Sequence, residues 1–238
     1  MENRPKTLVV TRHGETEWNT VADAVRSNKM RIPKHLEGVP NYRILLSEVG
    51  RMQATATGKK LAERHGSFDS VYYSPYLRAE ETKDIIVRQF PDAERRQMEA
   101  RLFGNLFLVE QNPGELDPSL ADNLDEQQRL YQRYQEQAKK YGHFYLQSAG
   151  VESWSQVALR VHLFLQTLYQ QKHHDENLLI VTHGVTTLLF RYLLEGLSEA
   201  EVEVIHEKDH PRNCGVYTYK WNDAANCYET AGSNEIFY

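Results

Sequence analysis

Two histidines stand where chemistry is most readily built. His13 follows the run Leu8-Val9-Val10-Thr11-Arg12, His183 follows Leu178-Leu179-Ile180-Val181-Thr182, and a glycine succeeds each, Gly14 and Gly184. Imidazole attacks phosphorus when the attacking nitrogen is unprotonated and its ring is oriented by a hydrogen bond at the other nitrogen. Arg12 lies beside the first histidine, and Arg78 sits in Ser74-Pro75-Tyr76-Leu77-Arg78-Ala79-Glu80-Glu81-Thr82. Both offer planar, permanently charged forks that match phosphate oxygens. A lone Arg-His pair is ordinary surface decoration, but here two further segments supply a second His-Gly and a second arginine.

Stepping from these residues to their carriers, Leu8–Thr11 and Leu178–Thr182 have the apolar, β-branched character of strands buried on both faces. Each would deliver its histidine to the C-terminal edge of a parallel sheet, where open α/β folds bind ligands. Ser70–Ser74 reads as another strand, with Pro75 in the first turn of a helix reaching about Gln89. Ser47 caps a helix running to about Arg64 and stopped by Gly66. Ser153 can cap the helix after it, and the helix from Val185 to Glu195, ending at Gly196, would place residues 184–186 at an anion-favouring N-terminus. Gly215–Trp221 and Cys227–Ala231 read as a hairpin or edge pair. Residues 20–46, with Asn28, Pro33, Gly38 and Pro40, read as a loop whose Arg26, Lys29, Arg31, Lys34 and Arg43 can approach an anion. In 98–150 the stripe Leu120, Leu124, Tyr131, Tyr134, Ala138, Tyr141 reads chiefly as packing of a helical lid, with His143 and Tyr145 beyond it as candidates for touching substrate.

The chain has 238 residues and a net charge of −5 spread without long runs. One domain, 1–238, with a lid insertion at about 98–150, is therefore expected, and neither a nucleic-acid partner nor a membrane partner. Cys214 and Cys227 are too few for a disulfide framework, and the stretch Met1–Thr7 lacks the apolar core of a signal peptide, so a cytoplasmic setting is expected. Val185–Leu197, interrupted by Arg191 and Glu195, falls short of the ~20 residues of a membrane span. His173-His174-Asp175 and the pair His206 and His210 lack a closed metal-ligand set.

The segments RHGETEWN (12–19), SPYLRAEET (74–82) and VTHG (181–184), in this order, resemble the histidine phosphatase superfamily, branch 1, of phosphoglycerate mutase-like fold. LLSEVGRMQA at 45–54 resembles the family's L-T-x-x-G-x-x-Q-A, and Gly150-Val151-Glu152-Ser153 its G-E-S. Val39-Pro40-Asn41-Tyr42, Leu45-Leu46 and Asn213-Cys214 look most like the broad-specificity acid phosphatases. The resemblance implies an α/β fold, a three-layer αβα arrangement with a mostly parallel doubly wound sheet and an inserted helical lid. It also implies a small phosphorylated substrate, no cofactor and no metal, the arginines taking the Lewis-acid role. His13 would become a phosphohistidine, Arg12, Arg78, a protonated His183 and the N–H of Gly184 would hold the phosphoryl oxygens, and Asn19, Thr16 and Gly14 would complete the substrate site. Glu15 would orient the loop.

One position departs from the family. In its frame L-x-E-x-x-x-G, matched to 98–104, the general acid's place is Ala100. Glu99 is one residue away and, as the catalytic acid expected here, would need a bulge to re-aim it; Glu152 and Glu110 are remoter substitutes. Without an acid, the hydrolase would be confined to good leaving groups. A phosphoglycerate mutase and a non-catalytic phosphate-binding module stay open as alternatives.

Overall fold

The computed structural model describes residues 4–91, 99–101, 118–147, 152–171, 173 and 176–238. Its six-stranded sheet has the order β3-β2-β4-β1-β5-β6, built from β1 (Thr7–Arg12), β2 (Ser70–Tyr73), β3 (Glu99–Arg101), β4 (Asn177–Thr182), β5 (Val216–Asn222) and β6 (Cys227–Glu235). The first four strands in that order pair in parallel, and the β5–β6 hairpin is antiparallel. This is the mostly parallel α/β sheet expected, with β5 pairing to β1 so that only β6 of the hairpin is at the edge.

Alternation along each strand divides the core. Leu8 and Val10 of β1, Leu178 and Ile180 of β4, and Tyr217 and Tyr219 of β5 pack on one face against α5 (Trp154–Gln170) and α6 (Gly184–Leu194). Val9, Val71, Leu179 and Val181 pack on the other against Leu61 of α2 (Glu48–His65) and Ala79 and Ile86 of α3 (Leu77–Val87). Apolar side chains on both faces explain why these strands read as continuous apolar runs. Truncating one of them, as in Ile180→Ala, would cost about 2–5 kcal/mol through the cavity left behind.

The helix boundaries follow local signals. The Ser47 hydroxyl accepts from the Gly50 amide at 3.0 Å and opens α2, which Gly66, at φ 69°, ends. Ser153 and Gln156 form a capping box on α5. Pro75 lies before α3 rather than in its first turn, because Tyr76 is the extended cap residue. Residues 20–46, expected as a plain loop, contain α1 (Ala22–Arg26) and a 3₁₀ turn at Asn41–Arg43. They also have a core of their own, in which Trp18, Val25, Ile32, Leu36 and Ile44 meet Leu124 of α4 (Leu124–Tyr141). Helix α7 (Glu199–Lys208), not singled out above, begins at a second capping box, Ser198 with Glu201. That S-x-x-E spacing is a readable helix start. No helix among the described residues is long and apolar enough to cross a membrane. Most of the expected lid before α4, including Glu110, lies outside the described residues, as do His174 and Asp175.

Candidate active site

The C-terminal ends of β1, β4 and β2 open onto one cavity of about 330 Å³. Arg12, His13, Thr16, Asn19, Arg78, His183 and Gly184 line it, so seven of the nine expected site residues converge there. The ladder carries on past the strands, His13 N donating to Thr182 O at 2.8 Å and Ser74 N to Val181 O at 3.0 Å. Strand register therefore fixes the two histidines side by side, their rings 5.3 Å apart and edge to face.

The His13 ring is fixed in one tautomer. Its Nδ1 lies 2.7 Å from the Gly14 carbonyl, which can only accept, so Nδ1 carries the proton and Nε2 the lone pair. Arg78 Nε donates to that Nε2 at 3.2 Å. Burial first, then the charges of Arg78 and Arg12, hold His13 well below the usual histidine range, so the ring is neutral. His183 is likewise held well below that range, by burial first and then by Arg78, His13 and Arg12. In the free site, beside two guanidinium groups and out of water, an imidazolium is disfavoured, so the protonated His183 expected with substrate requires the charge of a bound anion. His183 Nε2 pairs with Ser74 Oγ at 2.7 Å.

The arginines are aimed by backbone carbonyls. Arg12 Nη1 donates to Pro211 O at 2.9 Å, and Arg78 Nη1 donates to Asn41 O and Oδ1 at 2.8 and 3.0 Å. Arg78 is the second residue of α3, so the strand–turn–helix unit delivers it to the β2 edge. Asn213 Nδ2 donates to His13 O at 3.0 Å and Cys214 N to Arg12 O at 3.0 Å, fastening the loop from behind.

Gly14 does not line the cavity, which corrects its expected substrate role. Its N–H already donates to Thr82 Oγ1 at 3.0 Å, and its carbonyl is taken by His13. It is glycine because α2 passes too close: a Cβ there would lie 2.6 Å from Gly50 O, and one on Gly50 would lie 2.0 Å from Glu15 O. Glu15 Oε1 accepts from Ser47 Oγ at 2.7 Å, orienting the loop rather than facing the cavity. Thr16 N donates to Asn19 Oδ1, and Asn19 N to Thr16 Oγ1, both at 3.0 Å. With its oxygen engaged, Asn19 presents its Nδ2 amide as the group able to donate to a ligand.

Glu99 does not meet its expectation. β3 pairs Glu99 with Ser70 and Ala100 with Val71, in unshifted parallel register. At about 3.3 Å per residue, the Glu99 backbone sits roughly 13 Å short of the level of Ser74. A regular ladder contains no bulge to re-aim it, so the expected acid role for Glu99 is withdrawn. Glu152 is held bidentately by Arg160, at 2.9 and 2.7 Å.

The rest of the lining was largely unforeseen. Trp18, Arg26, Asn41, Ile44, Tyr131, Tyr134, Gln135, His143, Trp154, His206 and His210 form the outer wall, and among the described residues lining the cavity none is Asp, Glu or Lys. His143 stacks on Trp154, centroids 4.8 Å apart and planes 12° apart. His143 N, His143 Nδ1 and Phe144 N all pair with the Glu203 carboxylate of α7. His206 Nδ1 and His210 Nδ1 share a bond of 3.2 Å. Burial lowers His206 to about 4 and His210 to about 3, the latter aided by Arg12. Tyr145 is instead 67% exposed and bonded to Glu199, which corrects its candidacy. Of the basic residues in 20–46 only Arg26 reaches the wall; Arg31 pairs with Asp125 at the surface.

Two histidines and two arginines thus meet at the C-terminal edge of one sheet, over one cavity, a set of groups suited to phosphoryl oxygens. The chain belongs to the histidine phosphatase superfamily, branch 1, whose sequence model matches residues 8–232. It is 27% identical to a 2,3-bisphosphoglycerate-dependent phosphoglycerate mutase of Bartonella henselae, over 83% of this chain and 85% of that protein. In fold it is similar to Bacillus stearothermophilus YhfR, with TM-score 0.67, 19% identity and 97% of each chain covered. It is also similar to a mycobacterial glucosyl-3-phosphoglycerate phosphatase determined with inorganic phosphate, with TM-score 0.62, 18% identity and 97% and 98% covered.

Proposed function

We propose that this protein is a phosphohydrolase of small phosphomonoesters that works through a phosphohistidine on His13 and needs no metal. The observation that carries this reading is the His13 ring, neutral and tautomer-locked by Gly14 O, with its Nε2 lone pair directed to Arg78.

The chemistry follows from charge. Arg12, Arg78 and the Gly184 N–H at the head of α6 hold the non-bridging oxygens of a phosphate dianion, whose charge also favours proton uptake by His183. His13 Nε2 attacks phosphorus in line as the bond to the leaving oxygen breaks and its electron pair stays on that oxygen. Water then attacks the phosphohistidine, the P–N bond breaks, the nitrogen recovers its lone pair, and phosphate departs. With Ala100 at the family's acid position and no carboxylate among the described lining residues, the leaving oxygen departs as an anion. Substrates with stable leaving groups, such as aryl esters, acyl phosphates or phosphoanhydrides, are therefore favoured over alkyl esters.

The test is hydrolysis of p-nitrophenyl phosphate in the presence of EDTA by this chain and by His13→Ala, with acid-labile phosphoramidate trapped on the enzyme. Turnover with EDTA and a phosphoenzyme, both lost in the variant, is the expected result. Absence of any phosphoenzyme would mean a phosphate-binding module instead. The names of relatives such as the Bartonella protein favour a second reading, a phosphoglycerate mutase. Residues 221–238 contain no Lys or Arg to clamp a polyanion. Formation of 2-phosphoglycerate from 3-phosphoglycerate with the bisphosphate primer would reverse this order.

A further inference from the structure

Resting on the phosphohydrolase reading, we infer that the substrate is an aryl phosphate whose ring is received by the outer wall, with Trp18, Tyr131, Tyr134, His143 and His206 as specificity-determining residues. Three independent features of the cavity point there.

The wall is built of flat rings. Tyr131 and Tyr134 come from α4, His206 from α7, and His143 from the turn after α4, and all line the same cavity as His13. The Tyr134 phenol, pushed up to about 12 by burial, is neutral, and the low value of His206 leaves that ring uncharged near pH 7. Such a surface favours an aromatic group by offset or edge-to-face packing beyond the area buried.

Cations are sparse among the described residues of the wall. Arg26 is its one guanidinium: Nη1 pairs with Asp23 at 3.1 Å, Nε is buried without a partner among the described residues, and Cζ lies 5.6 Å from the centre of the Tyr131 ring. A phosphoanhydride carrying further phosphates, or a carboxylated alcohol, would face one guanidinium among several rings. An acyl phosphate would leave most of the wall untouched.

Finally, Trp18 presents a donor without a partner among the described residues. Its side chain is 1% exposed and lines the cavity, and the indole N–H is buried without a hydrogen-bond acceptor among the described residues. A buried donor left unpaired is destabilising, and a ligand oxygen or π-face would relieve it. A departing phenolate is such an acceptor, and it needs no proton from a carboxylic acid to leave.

The experiment compares p-nitrophenyl, 2-naphthyl and acetyl phosphate, all good leaving groups of which two are aromatic, with 3-phosphoglycerate as the carboxylated control. The expected result is kcat/KM at least tenfold higher for the aryl esters than for acetyl phosphate, expressed mainly in KM. In Tyr131→Leu, His206→Ala and Trp18→Phe this aryl preference should fall at least fivefold. Phosphoenzyme formed from acetyl phosphate verifies that each variant retains an assembled His13 site. Equal kcat/KM for aryl and acetyl phosphates, a preference for 3-phosphoglycerate, or an aryl preference unchanged in all three variants would overturn the inference while sparing the phosphohistidine mechanism. Failure to form phosphoenzyme from any of the donors would instead sink the mechanism itself.

Discussion

The floor of the cavity and its outer wall are held by different means. On the floor three of the four key side chains are tied to a backbone carbonyl, His13 to Gly14, Arg12 to Pro211 and Arg78 to Asn41, and the fourth, His183, to the Ser74 hydroxyl. On the wall, side chains lean on one another, His143 on Trp154, His206 on Trp154 and His210, with Glu203 pinning the turn at His143. The carbonyls of Gly14, Asn41 and Pro211 lie outside the strands and, as backbone groups, tolerate changes of neighbouring side chains. Ring-on-ring packing is set by the side chains themselves. Under the proposed function, the chemistry can stay fixed while the range of accepted substrates is altered from the wall.

Substitutions can break this contrast. His13→Ala should remove the phosphoenzyme and lower kcat/KM on the order of 10⁴-fold or more, as loss of a nucleophile does elsewhere, read by single-turnover trapping. Across a series from alkyl to nitrophenyl esters, rates should climb steeply as leaving-group pKa falls, the alkyl members lacking the ~10²–10⁴-fold of general acid catalysis. A flat series would reveal an acid donor. Arg78→Lys keeps a charge but loses the fork that bridges His13 and Asn41, and should cost about 10²–10³-fold in kcat/KM for every ester alike. An effect confined to aryl esters would blur the division between floor and wall.

Two further changes sharpen it through stability. Gly50→Ala forces a methyl against Glu15 O, displacing the loop that carries His13, and should lower stability by about 1–3 kcal/mol. Denaturant melts would measure the loss, accompanied by reduced turnover. The wall should make itself felt in acid. His206 and His210 are neutral in the folded state and protonate more readily when unfolded, so their contribution is complete above about pH 6.5. It is lost as pH falls towards about 4 for His206 and about 3 for His210. His206→Gln should therefore flatten the decline in stability between pH 6.5 and 4 by up to a few kcal/mol. An unchanged slope in urea melts across that range would show that His206 is not held neutral by the fold.

Legibility in the sequence follows the same division. The strands of β1 and β4 announce themselves as apolar runs, so His13, Arg12 and His183 could be read directly, and Arg78 with the helix after β2. The resemblance to the family carried Asn19 and Thr16. The stripe on α4 was read as packing, yet Tyr131 and Tyr134 both pack and line the cavity, because one helix face can meet a core at one end and a ligand space at the other. Gly14 was assigned to substrate, although only the passage of α2 shows that its amide belongs to Thr82. Glu99 was assigned to the acid on proximity in sequence, and the register of β3 moved it to the opposite end of the strand.

The sequence by itself determined the parallel α/β core, the cap residues of α2 and α5, and the convergence of two histidines and two arginines at strand ends, since period, cap chemistry and strand direction are local properties. Only the tertiary structure decided which of the remaining side chains face the ligand. Trp18, Arg26, Tyr134 and His206 come from the loop after β1, from α1, from α4 and from α7, and no short-range pattern encodes the packing that brings them around one cavity.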